Sequence, residues 1–186
     1  MTILRTSSAL ILAGLVAACT PAATGESKEG ASAAAAGSVI RSSCRQGECV
    51  WLKVTGQDTV ETLPQGELRR LVARQGRSEH LDGNIPEKAP PSGIEWEAAD
   101  GTYYAFCSKQ RPAYAFPSDD GSLTVHFLDL FNLAGYQMAS ASAYLRLCHG
   151  IDELPEDDKV LSGLGYRPGT RDEQVEAGSA ETMTRF

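Results

Sequence analysis

Five cysteines constrain this chain of 186 residues more than any other feature. Cys19 stands apart at the end of an apolar run. Cys44, Cys49, Cys107 and Cys148 lie within the stretch that carries strand-like patterning. Thiols stay reduced in the cytosol and oxidise outside it, so the compartment decides what the four become. The N-terminus bears on that point. Arg5 precedes an apolar stretch of about ten residues, Ala9 to Ala18, which has the size of a signal h-region and is half the roughly 20 residues that a spanning helix needs. Export predicts two disulfides, with three pairings open. Arg45-Gln-Gly-Glu48 places Gly47 in a tight turn, which favours Cys44–Cys49 and leaves Cys107–Cys148. The chain-entropy model assigns about 2 kcal/mol to the short loop and about 4 kcal/mol to the long one. A four-cysteine zinc site would want a C-x₂-C pair, and the sequence contains none.

Val16-Ala17-Ala18-Cys19 resembles the lipobox of bacterial lipoproteins: an aliphatic residue, two small residues and a cysteine. The resemblance covers those four residues and the signal before them. It implies that residues 1–18 are removed as a signal peptide, that the Cys19 thiol receives a diacylglycerol, and that the new amine is acylated. The membrane is then a partner through a lipid anchor, and two or more chains hold where one binds only marginally. Thr20, where an Asp would retain such proteins at the inner membrane, implies by the same resemblance the outer membrane, with the domain facing the periplasm. Residues 19–38 are small and polar and predict a flexible tether, with a mean reach of roughly 25 Å for a coil of this length.

Beyond the tether the pattern predicts a folded, mainly β domain over 39–167 and a polar, disordered tail over 168–186. Residues 48–55 are rich in β-branched and aromatic types and read as a strand. A turn at 56–58 and a second strand at 59–63 follow. Residues 67–74 fit a helical face through Leu68, Leu71 and Val72, yet Gly66 and Gly76 bracket them closely, and the reading is a strand. Asp100-Gly101 between two alternating runs predicts a hairpin turn, and Ser118–Gly121 predicts another. A short helix is expected near 137–143, where Ala and Leu dominate. The fold class is α+β: mainly antiparallel β with one short helix, in a small disulfide-stapled domain.

A formal net charge of −7 disfavours nucleic acid, whose phosphates need clustered cations. Arg69, Arg70, Arg74 and Arg77 form the one basic cluster and are candidates for partner binding, against the plainer reading of a solvated face. His126 and Asp129 are three apart, so in a strand they face opposite sides. His149 follows Cys148, but a nucleophilic pair would need a thiol that a disulfide consumes. The acids between 152 and 158 lack EF-hand spacing and read as a solvated loop. Trp51, Trp96, Tyr103, Tyr104, Tyr114, Phe116 and Phe127 read as core. No phosphate loop, dinucleotide fingerprint, H-E-x-x-H or G-x-S-x-G occurs, so no cofactor and no catalytic or metal residue is expected.

The function expected is that of a non-enzymatic envelope lipoprotein that binds an unknown envelope protein partner or supports an assembly. One alternative is a lysozyme inhibitor. Ala98–Phe106 is similar to a region of the membrane-bound lysozyme inhibitors over nine residues, without their Ser-Gly pair and tryptophan. The other is a hydrolase or metal enzyme in an unfamiliar fold, which would bring His126 beside a carboxylate in three dimensions.

Overall fold

The computed structural model describes residues 36–90 and 92–185. Residues 1–18, expected to be a signal peptide, Cys19 and most of the expected tether lie outside the described residues. Seven strands form one sheet: β1 (Val39–Arg45), β2 (Glu48–Leu63), β3 (Gly66–Glu79), β4 (Glu95–Cys107), β5 (Ala113–Pro117), β6 (Leu123–Phe127) and β7 (Glu173–Ala177). Their spatial order is their chain order, and every neighbouring pair is antiparallel. Helix α1 (Met138–His149) and the shorter α2 (Asp158–Gly163) stand between β6 and β7. The architecture is the mainly antiparallel one that the alternating runs predict.

Turn chemistry sets the hairpins. Gln46 and Gly47 both take positive φ, 51° and 83°, as a two-residue hairpin turn requires. The turn places Cys44 opposite Cys49 with Cα atoms 4.1 Å apart, and the two are joined. The second disulfide joins Cys107, at the end of β4, to Cys148 in α1. Gly66 opens β3 where a Cβ would lie 2.6 Å from the Cys107 carbonyl oxygen, so only glycine lets β4 approach there.

Five local expectations are corrected. The turn expected at 56–58 is instead regular strand within β2, a strand of 16 residues: Gly56, Gln57 and Asp58 pair with Val72, Leu71 and Arg70, and the register shifts only on either side, between Val54 and Gly56 and between Thr59 and Glu61. Asp100-Gly101 lies inside β4, facing Arg74 and Ala73 of β3. The runs on either side pair with β3 rather than with each other, so no hairpin forms. The helix continues six residues past the expected end, to His149, and stops at Gly150, whose φ of 68° provides a left-handed cap. The tail is the largest correction. Residues 173–177 pair with β6, and Met183, in a 3₁₀ turn at Ala180–Met183, is fully buried. At the other end, Gly37 and Ser38, assigned to the tether, already hydrogen-bond to Val54.

The sheet buries both faces. On one, Ala141, Tyr144, Leu145 and Cys148 of α1 recur at helical spacing and pack on Leu52, Val54, Leu71, Ala73, Tyr103 and Tyr114. On the other, Leu68, Phe106, Ala113, Ala115, Val125 and Phe127 pack with Ala177 and Met183. Two-sided burial explains the nearly continuous apolar runs in β5 and β6.

Candidate functional site

Strand alternation directs Tyr114 and Phe116, two apart on β5, to the helix-covered face. Tyr103 of β4 and His126 of β6 flank them, and Tyr136, just before α1, closes the row. Ring centroids run at 6.5 Å for Tyr103–Tyr114, 6.4 Å for Tyr114–Phe116, 5.2 Å for Phe116–His126 and 5.3 Å for His126–Tyr136. Between these rings and the first turn of α1 lies a cavity of about 190 Å³. Ser42, Gln75, Ala139 and Ser140 complete its lining, with Pro117 at the end of β5.

The polar groups of this cavity are tuned to stay uncharged. His126 is 4% exposed. Its Nε2 lies 3.0 Å from the Gln174 side-chain oxygen, to which it donates, and Ser140 donates its hydroxyl to Nδ1 at 2.8 Å. Both ring nitrogens are engaged, and burial lowers the imidazole pKa against the opposing effects of Gln174 and Glu176. The Tyr103 hydroxyl donates to Gln75 at 3.4 Å, and burial, then Glu97, push its pKa up to about 12. Tyr114 is different. It is 4% exposed, burial raises its pKa, and its hydroxyl makes no hydrogen bond among the described residues. On the cavity wall, that hydroxyl is open to a hydrogen bond with a ligand atom. The site can hold a compact, flat, uncharged group and offer it one hydrogen bond. Neither nitrogen of His126 is left to take a proton from that group.

The residues singled out from sequence are distributed otherwise. Arg69 bonds Glu67 and the Leu147 carbonyl, Arg70 grips Asp58 through two nitrogens, Arg74 meets Asp100, and Arg77 lies 3.6 Å from Glu48. Alternation puts Arg70 and Arg74 on one face of β3 and Arg69 on the other. The structure does not assemble these four into a cationic surface, because each has a carboxylate beside it. Asp129 does not meet His126; its carboxylate accepts the backbone N–H groups of Phe131 and Gly169. Cys148 is bonded to Cys107, so no thiol stands beside His149. Ala98–Phe106 is part of interior strand β4, with Tyr103, Ala105 and Phe106 buried. Among the described residues, no group of three His, Cys, Asp or Glu side chains could hold a metal ion.

Sequence reasoning placed Tyr103, Tyr114 and Phe116 in the core without seeing the space between them and the helix. It did not single out Tyr136, Gln75, Ser140 or Ser42. The alternation of Tyr114 and Phe116 was the available signal, but it reports a shared face and not a gap. In comparison with known proteins, the chain matches no family model, no curated protein and no solved structure.

Proposed function

We propose that this protein is a lipid-anchored, non-catalytic module of the bacterial envelope that binds a protein partner by taking one of its large apolar or aromatic side chains into the Tyr114 cavity. The single observation that carries the reading is the cavity itself, aromatic, uncharged and lined by a tyrosine hydroxyl free of protein hydrogen bonds among the described residues. Its volume of about 190 Å³ lies below the roughly 300–1,000 Å³ usual for small-molecule pockets, which suits one side chain better than a free metabolite. The mouth supports the same reading. Tyr136, on the lining, and Met138, two residues on, are 52% and 46% exposed. Exposed apolar residues around a pocket that accepts an anchor are the usual makings of a binding hot spot. The lipobox resemblance at Val16–Cys19 supports the location, and the small polar residues after it would let the domain reach a partner away from the headgroups.

A photo-crosslinking residue at position 138 of the full chain, expressed in a bacterium that lipidates it, tests this. The expected result is a discrete adduct that disappears when Ala139→Phe fills the cavity, while the same probe at exposed Val160 gives no such adduct. Mass spectrometry of that sample should find the mature chain beginning at an acylated Cys19. Adducts that are alike at 138 and 160 and indifferent to Ala139→Phe would overturn the binding reading. An unacylated mature chain that begins elsewhere would overturn the anchor.

A further inference from the structure

Lys109 follows β4 in the connection to β5, and Arg167 and Arg171 lie between α2 and β7. All three line one open depression of about 650 Å³, and every ionisable residue on its lining is a cation. The segregation is marked in a chain of net charge −7, because the larger groove of about 860 Å³ has only Glu61, Asp100 and Glu181 as ionisable carboxylate or basic side chains besides Tyr104. Two of the three cations lack compensation. Arg167 has no ion pair or hydrogen bond through its side chain among the described residues. Lys109 has no carboxylate within ion-pair distance among them. Its ammonium instead stands 3.2 Å from His149 Nε2 and 4.1 Å from the centre of the Tyr166 ring. Arg171 is paired with Glu173, and its guanidinium lies 4.0 Å from the centre of the Phe127 ring.

The arrangement is held before any ligand arrives. Tyr166, 3% exposed, bonds Tyr144 at 2.8 Å and His149 at 2.6 Å, which anchors the chain beside Arg167. The Cys107–Cys148 disulfide fixes the strand end that carries Lys109. Partial burial lowers the Lys109 pKa, although the residue remains exposed enough to meet a ligand. Gathered like charges are unfavourable unless an anion sits among them.

We propose that Lys109, Arg167 and Arg171 form a binding site for a doubly charged oxyanion of the phosphate class. Two uncompensated cations match a dianion, where a single carboxylate would satisfy one. Arginine and lysine at one site supply the fork and the point charge that phosphate recognition uses. The site is separate from the Tyr114 cavity and stands whether or not that cavity binds a partner.

Phosphate can come free or on a lipid or polymer headgroup, and two probes separate the sources. The full chain is titrated with inorganic phosphate and with glycerol 3-phosphate at constant ionic strength, with amide chemical shifts as the readout. Saturable shifts at Lys109, Arg167 and Thr170 are expected, with affinity falling about tenfold in Arg167→Gln and in Lys109→Gln, the order of one charge-assisted bond. Arg70→Gln, at a residue that is not on the lining, should bind as the parent does. Equal affinity for the two probes assigns the site to free phosphate, and tighter glycerol 3-phosphate assigns it to a headgroup. No saturable shift with either probe, or the same affinity in Arg167→Gln with an unchanged melting curve, would overturn the proposal.

Discussion

One sheet carries two unlike covers. On the first face, α1 presents a full stripe of buried side chains and is bonded to β4 through Cys107–Cys148. On the second, a 3₁₀ turn of four residues contributes one large side chain, Met183, above Phe106, Val125 and Phe127. The first cover is redundant, with many contacts and a covalent bond. The second concentrates its contribution in a single residue. The cavity lies under the first cover, at its N-terminal end, where the α1 stripe gives way to Ala139 and Ser140 and leaves the aromatic row unfilled. Small side chains at one end of an otherwise well-packed helix can therefore make a site without weakening the cover as a whole.

The largest expected effect tests the covalent part of this contrast. Replacing Cys107 and Cys148 together by serine removes a crosslink over 41 residues and should lower unfolding free energy by about 4 kcal/mol, read by chemical denaturation. A loss below 1 kcal/mol would show that α1 holds its place by packing alone. Next is the second cover. Met183→Ala should cost about 3 kcal/mol, the usual order for truncating a fully buried methionine, although it lies three residues from the end of the chain. A midpoint equal to the parent's would mean that the C-terminal turn contributes nothing to that face.

The smallest effect separates the covers by pH. Burial, then Lys109 and Arg69, lower the His149 pKa to about 4 at the C-terminal end of α1. The unfolded chain binds that proton more readily than the folded one. This contribution is therefore fully present above about pH 6.5 and is lost as pH falls toward 4. His126, also lowered and also under α1, acts in the same direction. Denaturation midpoints should fall across that window, and His149→Gln should flatten the slope without abolishing it. A parallel slope in the variant would show that the imidazole is not what destabilises the first cover in acid.

Legibility followed the range of the interactions. The hairpin at Gln46-Gly47 and the Ser118–Gly121 turn depend on a few adjacent residues, and they could be read directly. The β3 strand was harder, because Leu68, Leu71 and Val72 also fit a helix; Leu68 packs on one face of the sheet and Leu71 on the other. The tail was misread because Val175, Ala177 and Met183 are sparse among polar neighbours, and such a segment becomes a strand only when an edge such as β6 is there to pair with it. The ion pairing of the arginines was hidden for a related reason. Glu48, Asp58, Glu67 and Asp100, which neutralise them, lie mostly on other strands.

From sequence alone come the strand-rich class, the turn that sets Cys44 against Cys49, the expectation of a helix before Cys148, and the apolar faces of the strands. These depend on backbone preference and side-chain alternation, which act over a few residues. The two covers, the gap beneath α1 and the gathering of Lys109 with Arg167 and Arg171 were decided only when distant segments met. An unfilled volume or a charge without a counter-charge belongs to several elements at once, and no local pattern records it.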